Sequence, residues 1–597
     1  MAPTLDFSEA IHQEKYRSKG ESFKEAMNRL AGALADNPDH FKAFRDTLLD
    51  MRFMPGGRIQ GAIGSTKGHA VTAYNCFVSG RIEDSFVDGR GSIMDIAKEA
   101  ATTMRMGGGI GYDFSTLRPR GAYIKKLQSS SSGPISFMEI YDAICRCIAS
   151  SGHRRGAQMG VMRVDHPDIE EFIHAKQPPK AAEPIMEQLA KAEPNTVEWR
   201  QWYTALQAVY QLTGFNISVA VTDKFMKAVK FGSRFALRFG GRVYREIDAK
   251  ALWEMLMRSA WDWAEPGIIF IDTVNRMNNL SYCEEIIATN PCGEQPLPAH
   301  GACLLGSFNL TKYITELAGQ SHQIFDFEQF RADIPHVVRA MDNVTDLASF
   351  PLYEQEKMAK ATRRMGLGVT GLANAVEVLG MPYGSKSFIR MTEQILQTLA
   401  REAYRASALL ASEKGSFPRY DTDKYLAAPF IQGLDAETRA LIAAHGIRNS
   451  HLTSIAPTGT ISLCADNVSS GIEPVFAYNQ KRLVKMPEGD VETNFEDYGV
   501  RVFGVKGKRA QDVTIDEHLA VLACASANVD SAVSKTCNVP SNTPWVDFKS
   551  LYMRAWELGC KGLATYQVGG KRAGIITSTD NESSCRLDKE TGRKECE

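Results

Sequence analysis

The sequence predicts an α/β protein. Short runs rich in β-branched and aromatic residues, such as 215–221 and 562–568, alternate with longer helical patterns such as 387–413. The chain has 597 residues, 44% of them hydrophobic and 23% charged. This length exceeds what one hydrophobic core usually supports, so we expect either several domains or one unusually large barrel.

The elements divide the chain into three parts. Residues 1–53 are expected to be an N-terminal helical region, because Ala, Leu and Phe recur there at helical spacing among charged residues. Residues 54–577 carry the strand and helix alternation, interrupted by a predicted surface insertion at about 176–212. Residues 578–597 are polar and almost free of large apolar side chains, which is typical of a mobile tail.

Composition excludes several classes of protein. No stretch of about 18 apolar residues suggests a membrane span, and the first residues lack the pattern of a signal peptide, so we expect a cytoplasmic protein. Lys plus Arg (69) nearly balances Asp plus Glu (70), which disfavours a nucleic-acid polymer as ligand. The 12 cysteines show no paired C-x-x-C spacing, and no histidine motif indicates a protein-held metal.

The segment Asn290-Pro291-Cys292-Gly293-Glu294 carries the densest chemistry. Pro291 disfavours the helical region for Asn290, so we predict an extended chain in which an amide, a thiol and a carboxylate at alternate positions share one face. The alternative is a turn whose cysteine is merely buried. The regular spacing to Glu294 and the cysteines elsewhere favour the first interpretation.

Three glycine-containing segments are weaker signals. Residues 366–371 match G-x-G-x-x-G, but polar, helix-prone residues precede them where a dinucleotide site needs a buried strand, so close helix packing is the preferred interpretation. Residues 456–462 could hold a phosphate with hydroxyls and backbone N–H groups, or form an ordinary Ser/Thr-rich turn. Gly109 lies in a flexible run that could closely approach a ligand.

Taken together, four ordered motifs resemble the catalytic chain of ribonucleotide reductases. They are Tyr74-Asn75-Cys76-Phe77, the segment at 290–297, Gly301-Ala302-Cys303-Leu304-Leu305-Gly306-Ser307 and the segment at 456–462. The likeness extends from about residue 54 to residue 572. It implies a ten-stranded α/β barrel whose central finger loop carries a radical cysteine.

The resemblance implies a role for each catalytic residue. Cys292 is expected to be the transient thiyl radical that removes the 3′-hydrogen of a ribonucleotide, and a cysteine is mostly protonated at neutral pH, as this role requires. Glu294 would be the general base and Asn290 would orient the substrate. Cys76 and Cys303 would supply two electrons and form a disulfide, which requires that their Cα atoms approach to about 4.4–6.8 Å.

The same resemblance implies substrate and tail residues. Cys585 and Cys596 of the tail would re-reduce the disulfide by thiol exchange, although the ten residues between them are more than the family usually has. The residues expected to line the nucleotide site are Asn75, Gly109, Pro291, Gly293, Pro457, Thr458, Gly459, Thr460, Ile461 and Ser462.

The expected radical source is adenosylcobalamin. Only eleven positions separate Cys292 from Cys303, as in the cobalamin-dependent class, and Ala564-Thr565-Tyr566-Gln567 lacks the adjacent tyrosines of the iron-dependent class. The missing glycyl motif and the presence of Glu294 disfavour the glycyl-radical class. No motif for cobalamin itself occurs. Two alternatives stay open: an iron-class catalytic subunit that needs a radical-generating partner, and a non-catalytic nucleotide-binding thiol protein.

The resemblance also implies partners. We expect a ribonucleotide substrate, with diphosphates favoured over triphosphates, and a reductant of the thioredoxin or glutaredoxin type. A deoxynucleotide or ATP effector would bind near a homodimer interface, with 113–135 and 174–216 as candidate loops. Too few residues precede position 54 for an N-terminal ATP cone, so overall inhibition by dATP is not expected.

Overall fold

A computed structural model describes residues 3–65, 70–150, 154–155, 157–179, 182–192, 196–209, 212–316, 323–486, 489–567, 586–587 and 594–595. Its centre is a ten-stranded sheet. In chain order the strands are β1 (Phe53–Pro55), β2 (Cys76–Val78), β3 (Gly109–Asp113), β4 (Gln158–Arg163), β5 (Phe215–Val221), β6 (Gly267–Phe270), β7 (Ala302–Asn309), β8 (Met365–Thr370), β9 (Thr536–Val539) and β10 (Gly562–Gln567).

The strands form three parallel groups that are joined by antiparallel pairs. β2, β3, β4, β5 and β6 are parallel neighbours in that order. β7 is parallel to β8, and β9 is parallel to β10. The groups join where β2 pairs antiparallel with β7 and where β6 pairs antiparallel with β10, while β1 lies antiparallel beside β7.

Two isolated bridges lie between β8 and the chain ahead of β9. Leu367 of β8 forms a parallel bridge with Thr453, and Ile455 forms a parallel bridge with Val533, in the segment that leads into β9. These bridges link β8, through residues 453–455, to the chain that leads into β9. The predicted α/β fold class is confirmed.

The strands are covered by helices and therefore carry almost no exposed side chains. All eight residues of β7 are buried, as expected for a strand packed on both faces. The helices are Asp6–Tyr16, Phe23–Leu34, Pro38–Leu49, Gly57–Ala62, Ile93–Arg105, Pro134–Cys147, Ile169–His174, Glu183–Lys191, Val197–Val209, Asp223–Phe231, Ala249–Trp263, Ile271–Met277, Phe327–Leu347, Tyr353–Thr362, Leu372–Glu377, Lys386–Lys414, Thr422–Leu426, Pro429–Gln432, Ala436–His445, Gly459–Cys464, Tyr498–Phe503, Ile515–Ala527 and Trp545–Glu557.

Three helices occupy residues 6–49, in the region where the sequence predicts helices. The second, Phe23–Leu34, begins with a capping box in which Ser22 and Glu25 satisfy each other's backbone N–H groups. Its apolar face is buried in the main core. The first helix reaches the rest of the chain through Ser8, whose hydroxyl donates to the carbonyl oxygen of Leu463 at 2.6 Å.

The predicted insertion at 176–212 contains two helices, Glu183–Lys191 and Val197–Val209. They share a small apolar cluster around Leu189 and Trp199 that is separate from the main core. Among the described residues, no helix combines the length and the hydropathy that crossing a membrane requires.

Within the described ranges, seven two-stranded antiparallel pairs lie outside the central sheet. The one that concerns the site pairs Ala288–Thr289 with Pro296–Leu297, and residues 288–297 are called the finger hairpin below. The other pairs are Tyr123–Ile124 with Ser129–Ser130, Ala149–Ser150 with Arg154–Arg155, Arg234–Phe239 with Arg242–Asp248, Ile314–Glu316 with Gln323–Phe325, Asn479–Met486 with Gly489–Glu496, and Arg586–Leu587 with Lys594–Glu595.

Candidate active site

The finger hairpin packs against several strands of the central sheet. On one side, Nδ2 of Asn216 in β5 donates to the carbonyl oxygen of Pro291 at 2.8 Å. On the other side, the backbone N–H of Ala532 donates to the carbonyl oxygen of Glu294 at 3.0 Å. A Cβ on Gly111 of β3 would stand 1.8 Å from the carbonyl oxygen of Thr289, so the hairpin packs directly on the backbone of that strand.

The tip of the finger hairpin is a turn, and the predicted extended conformation is wrong. The backbone N–H of Gly293 donates to the carbonyl oxygen of Asn290 at 3.1 Å, and Gly293 has a φ of 82°. Proline fits the second position of a β-turn as well as it fits an extended chain, and glycine supplies the positive φ. The pattern around Pro291 was therefore compatible with both conformations.

The turn brings the amide and the carboxylate to Cys76. Nδ2 of Asn290 lies 3.1 Å from Sγ of Cys76, and the Cys76 thiol donates to Oε1 of Glu294 at 3.8 Å. Oδ1 of Asn290 is fixed by the backbone N–H of Gln295 at 3.0 Å. Asn290, Glu294 and Cys76 are each at most 2% exposed. The two polar groups of the hairpin thus converge on a thiol of β2.

Cys76 and Cys303 are register partners in the antiparallel pair of β2 and β7. Directly opposed residues in such a pair have Cα atoms about 4.5–5.5 Å apart, within the range of a disulfide. Both are free thiols in this structure and both are buried. The predicted approach of these two cysteines, which are distant in sequence, is what the strand pairing produces.

Burial dominates the ionisation of both thiols. It raises the pKa of Cys76 well above its ordinary value, and the Glu294 carboxylate raises that pKa further. It also raises the pKa of Cys303, whereas the Arg364 guanidinium lowers it. Both side chains are therefore thiols at neutral pH and hold the hydrogens that a reducing pair has to supply.

Cys292 occupies the turn itself and is partly exposed. Its charge contributes to the raised pKa of Cys76, so the two sulfurs lie within electrostatic range of each other. A Cβ built on the neighbouring Gly293 would meet no atom within 4 Å. The space beside Gly293 is therefore open, and Cys292 is more exposed than Cys76 and Cys303.

Asn75 and Gly109 lie beside the finger hairpin. The carbonyl oxygen of Asn75 accepts from the N–H of Gly109 at 2.9 Å, while its side-chain Oδ1 is buried with no hydrogen-bond partner. A Cβ on Gly109 would come within 3.0 Å of the Pro291 ring. Gly109 therefore permits the close packing of hairpin against strand, and Asn75 Oδ1 is an acceptor that a ligand could satisfy.

Residues 457–462 lead into a short helix. Ala456 belongs to the same inner apolar cluster as Cys76 and Cys303, and the helix Gly459–Cys464 begins after Thr458, which has a φ of 52°. The Thr458 hydroxyl accepts from the N–H of Gly471 at 2.6 Å. No side chain caps the first turn of this helix.

Gln295 and Ser454 are two buried polar residues of the site that were not predicted from the sequence. Nε2 of Gln295, which is fully buried, donates to the Ser454 hydroxyl at 2.8 Å and ties the finger hairpin to the segment at 451–455. A Cβ on Gly366 would lie 2.3 Å from that hydroxyl. Gly366 lies within strand β8, and its missing side chain leaves room for the segment at 451–455. The helix-packing interpretation is therefore wrong for Gly366.

The tail cysteines, the segment around Tyr566 and possible metal ligands complete the set of predicted features. Cys585 and Cys596 lie outside the described residues. Tyr566 lies in β10 and is followed by Gln567, a buried residue. Within the described part of the chain, no group of three or more His, Cys, Asp or Glu side chains could hold a metal ion.

The structure is a mixed α/β fold in which two buried thiols face each other on neighbouring strands. A family profile described as "Ribonucleotide reductase, barrel domain" matches residues 74–498 and 505–566. The chain belongs to the ribonucleotide reductase family.

Similar proteins carry related names. A protein of Mycobacterium tuberculosis (strain CDC 1551 / Oshkosh) named "Vitamin B12-dependent ribonucleoside-diphosphate reductase" is 31% identical over 95% of this chain and 79% of its own length. A protein of the same name from Thermoplasma acidophilum is 31% identical over 95% of this chain and 70% of its own length. A "Vitamin B12-dependent ribonucleotide reductase" of Streptomyces clavuligerus is 30% identical over 92% of this chain and 62% of its own length.

Proposed function

We propose that this chain reduces ribonucleoside diphosphates to 2′-deoxyribonucleotides with adenosylcobalamin as its radical source. The observation that carries the proposal is the opposed pair Cys76 and Cys303, with the Asn290 amide and the Glu294 carboxylate brought against Cys76 by the finger hairpin. The names of the relatives support the substrate class and the cofactor.

The residues of the finger hairpin would carry the first steps. Cys292, as a thiyl radical, takes the 3′-hydrogen atom of the ribose. Glu294 accepts the proton of the 3′-hydroxyl, a role for which positioned proton transfer is typically worth about 10²- to 10⁴-fold. Asn290 would orient the substrate through its amide, which is already held by Gln295. At the end of the cycle Cys292 returns a hydrogen atom to C3′.

The strand pair would supply the reducing equivalents. The 2′-hydroxyl leaves as water after it takes a proton from the dithiol, and the two electrons come from Cys76 and Cys303, which become a disulfide. The overall step converts one ribonucleotide and two thiols into one deoxyribonucleotide, one disulfide and one water. The raised pKa values of both thiols keep their hydrogens available for this step.

The surroundings of Cys292 fit adenosylcobalamin as the radical source. The thiol is partly exposed at the turn, and open space adjoins Gly293. When bound, the cofactor supplies the initial radical. Cys292 is the residue of this chain that would face it.

Residues 457–462 would hold the phosphates of the substrate. The first N–H groups of a helix have no partner within the helix, and no side chain caps them here. Thr460 and Ser462 add hydroxyls, although Ser462 is already shared with Ser470 at 3.0 Å. Asn75, Gly109, Pro291 and Gly293 would complete the nucleotide site around the unsatisfied Oδ1 of Asn75.

Regulation and recycling are proposed from the family resemblance. A deoxynucleotide or ATP would set substrate specificity at 113–135 and 174–216, beside a homodimer interface. A thioredoxin- or glutaredoxin-type protein would supply electrons, through Cys585 and Cys596. The proposed domains are 1–53, a barrel at 54–577 and a redox tail at 578–597.

A steady-state assay tests the proposed cofactor and substrate together. The chain alone is incubated with adenosylcobalamin, a dithiol and each nucleoside di- or triphosphate, and deoxynucleotides are quantified. We expect turnover with diphosphates that depends on the cofactor. Turnover only with an added metal-bearing chain supports the iron-class alternative, and nucleotide binding without any turnover supports the non-catalytic one.

A further inference from the structure

Arg364 is a buried cation next to the proposed redox pair. It directly precedes Met365, which pairs with Leu304 across β7 and β8, so Arg364 and Cys303 are the preceding residues of the same parallel ladder. Side chains alternate between the faces of a strand. Leu304 and Met365 pack in the main core, whereas Cys303 belongs to the smaller cluster that also contains Ala288 and Leu297 of the finger hairpin. The alternation therefore places Arg364 on the same face of the sheet as Cys303.

The guanidinium of Arg364 is 2% exposed and only partly satisfied. Nη2 forms an ion pair with Glu284, and Nε donates to Nδ1 of His451 at 3.1 Å. Nη1 is buried and has no hydrogen-bond partner. A buried donor without a partner lowers stability, so a residue of this kind calls for a functional reason.

The charged residue that most influences each thiol of the pair has a different sign for Cys76 and for Cys303. After burial, the largest influence on the pKa of Cys303 is Arg364, which lowers it, although Asp530 and Glu294 raise it. For Cys76 the corresponding influence is Glu294, which raises the pKa. The strongest charged influence on Cys303 is thus a cation, which favours a negative sulfur, and the strongest on Cys76 is an anion, which opposes one.

We propose that Arg364 is a positioning residue that fixes the direction in which the Cys76–Cys303 disulfide is reduced. This inference rests on the proposed function. The thiolate of an incoming dithiol attacks Sγ of Cys76 and forms a bond with it, while the Cys76–Cys303 bond breaks and its electron pair leaves on Cys303 beside Arg364. A thiol that leaves more readily as a thiolate speeds such an exchange.

The second half of the exchange restores both cysteines. The other thiol of the dithiol attacks its own partner sulfur in the mixed disulfide and releases Cys76 as a thiolate. The dithiol is thereby oxidised to a disulfide. The two protons that it gives up are taken up by Cys76 and Cys303, and no further reductant is needed.

Matched variants test this role by the rate of disulfide reduction. Each variant also carries Cys585→Ser and Cys596→Ser, so that the tail cannot take up the disulfide. It first completes one turnover without reductant, and the reduction of its Cys76–Cys303 disulfide by dithiothreitol is then followed. All variants carry Glu284→Gln as the background. Without this change, replacing Arg364 would leave the Glu284 carboxylate as an unpaired buried charge. We expect Arg364→Gln on that background to slow reduction about tenfold against Glu284→Gln alone, and Arg364→Lys to restore most of the rate.

The outcomes separate the inference from the proposed function. If the Gln and Lys variants reduce their disulfide as fast as the background does, the inference is overturned. The site of attack gives a second readout, because a monothiol such as 2-mercaptoethanol should leave its adduct on Cys76, as located by peptide mass spectrometry. An adduct on Cys303 overturns the inference while the function stands. If no Cys76–Cys303 disulfide forms in one turnover, the proposed function fails, and the inference fails with it.

Discussion

Cys303 stands directly opposite Cys76 on the neighbouring antiparallel strand. Two thiols in this relation can form a disulfide with little movement of the backbone. We expect Cys76→Ser and Cys303→Ser each to abolish multiple turnovers with a dithiol reductant. The measurement is deoxynucleotide formed per chain under steady-state conditions. The matched control is Cys147→Ser, which removes an exposed thiol and should leave the rate unchanged. Full activity in either strand variant would rule out the pair as electron donor.

Cys292 is the partly exposed thiol of the finger turn. Because serine does not readily give up its hydroxyl hydrogen atom, Cys292→Ser should reduce deoxynucleotide formation to background while nucleotide affinity, measured by equilibrium dialysis, stays within about twofold of the original. A variant that still reduces nucleotides would show that the radical resides elsewhere.

Glu294 has two separable effects. Glu294→Gln removes the general base and should lower kcat by about 10²- to 10⁴-fold. It also removes the charge that raises the pKa of Cys76, so the pH profile for alkylation of Cys76 should move to lower pH. Peptide mass spectrometry after timed alkylation measures this shift. A shift to higher pH, or none, would contradict the electrostatic relation.

Gly111 marks where the finger hairpin contacts β3. A Cβ there would stand 1.8 Å from the carbonyl oxygen of Thr289, so Gly111→Ala has to displace the hairpin and should remove most of the activity. Gly32→Ala is the matched control, because its Cβ would meet only the Phe41 ring at 3.9 Å within an ordinary helix. Equal activity of both variants would mean that the hairpin does not depend on this contact.

Glu377 should make stability depend on pH. Burial raises the pKa of Glu377 from 4.5 to about 7, while Oε1 accepts from the backbone N–H groups of Tyr383 and Lys508. A carboxyl with a raised pKa in the folded state contributes stability below pH 4.5 that is lost as pH rises through about 7. Glu377→Gln should therefore gain stability over the unsubstituted chain between pH 5 and pH 8, by about 3 kcal/mol at most.

The measurement for Glu377 is the thermal unfolding midpoint at each pH. Glu393→Gln, at an exposed site in the helix Lys386–Lys414, is the control and should show no such pH-dependent gain. A gain for Glu377→Gln that is largest at low pH would contradict the sign of the effect.

The sequence predicted the approach of Cys76 and Cys303 only through the family resemblance, because strand pairing between distant segments leaves no local pattern. The predicted conformation at the tip of the finger hairpin was wrong, because Pro291 is compatible with both a turn and an extended chain. Gln295 and Arg364 were missed for a related reason: a buried polar residue is recognised by its partners, and those partners come from distant segments of the chain. Gln295 adjoins Glu294 in the motif itself, which was the one available signal.

The most direct test of the central claim is a single turnover without external reductant. The chain, adenosylcobalamin and a ribonucleoside diphosphate are mixed, deoxynucleotide is counted per chain, and disulfides are mapped by peptide mass spectrometry. Cys585 and Cys596 are replaced by serine so that the tail cannot supply electrons. We predict one deoxynucleotide per chain and one new disulfide, between Cys76 and Cys303. Deoxynucleotide formed while both thiols stay reduced, or no product without a second chain, would contradict the account.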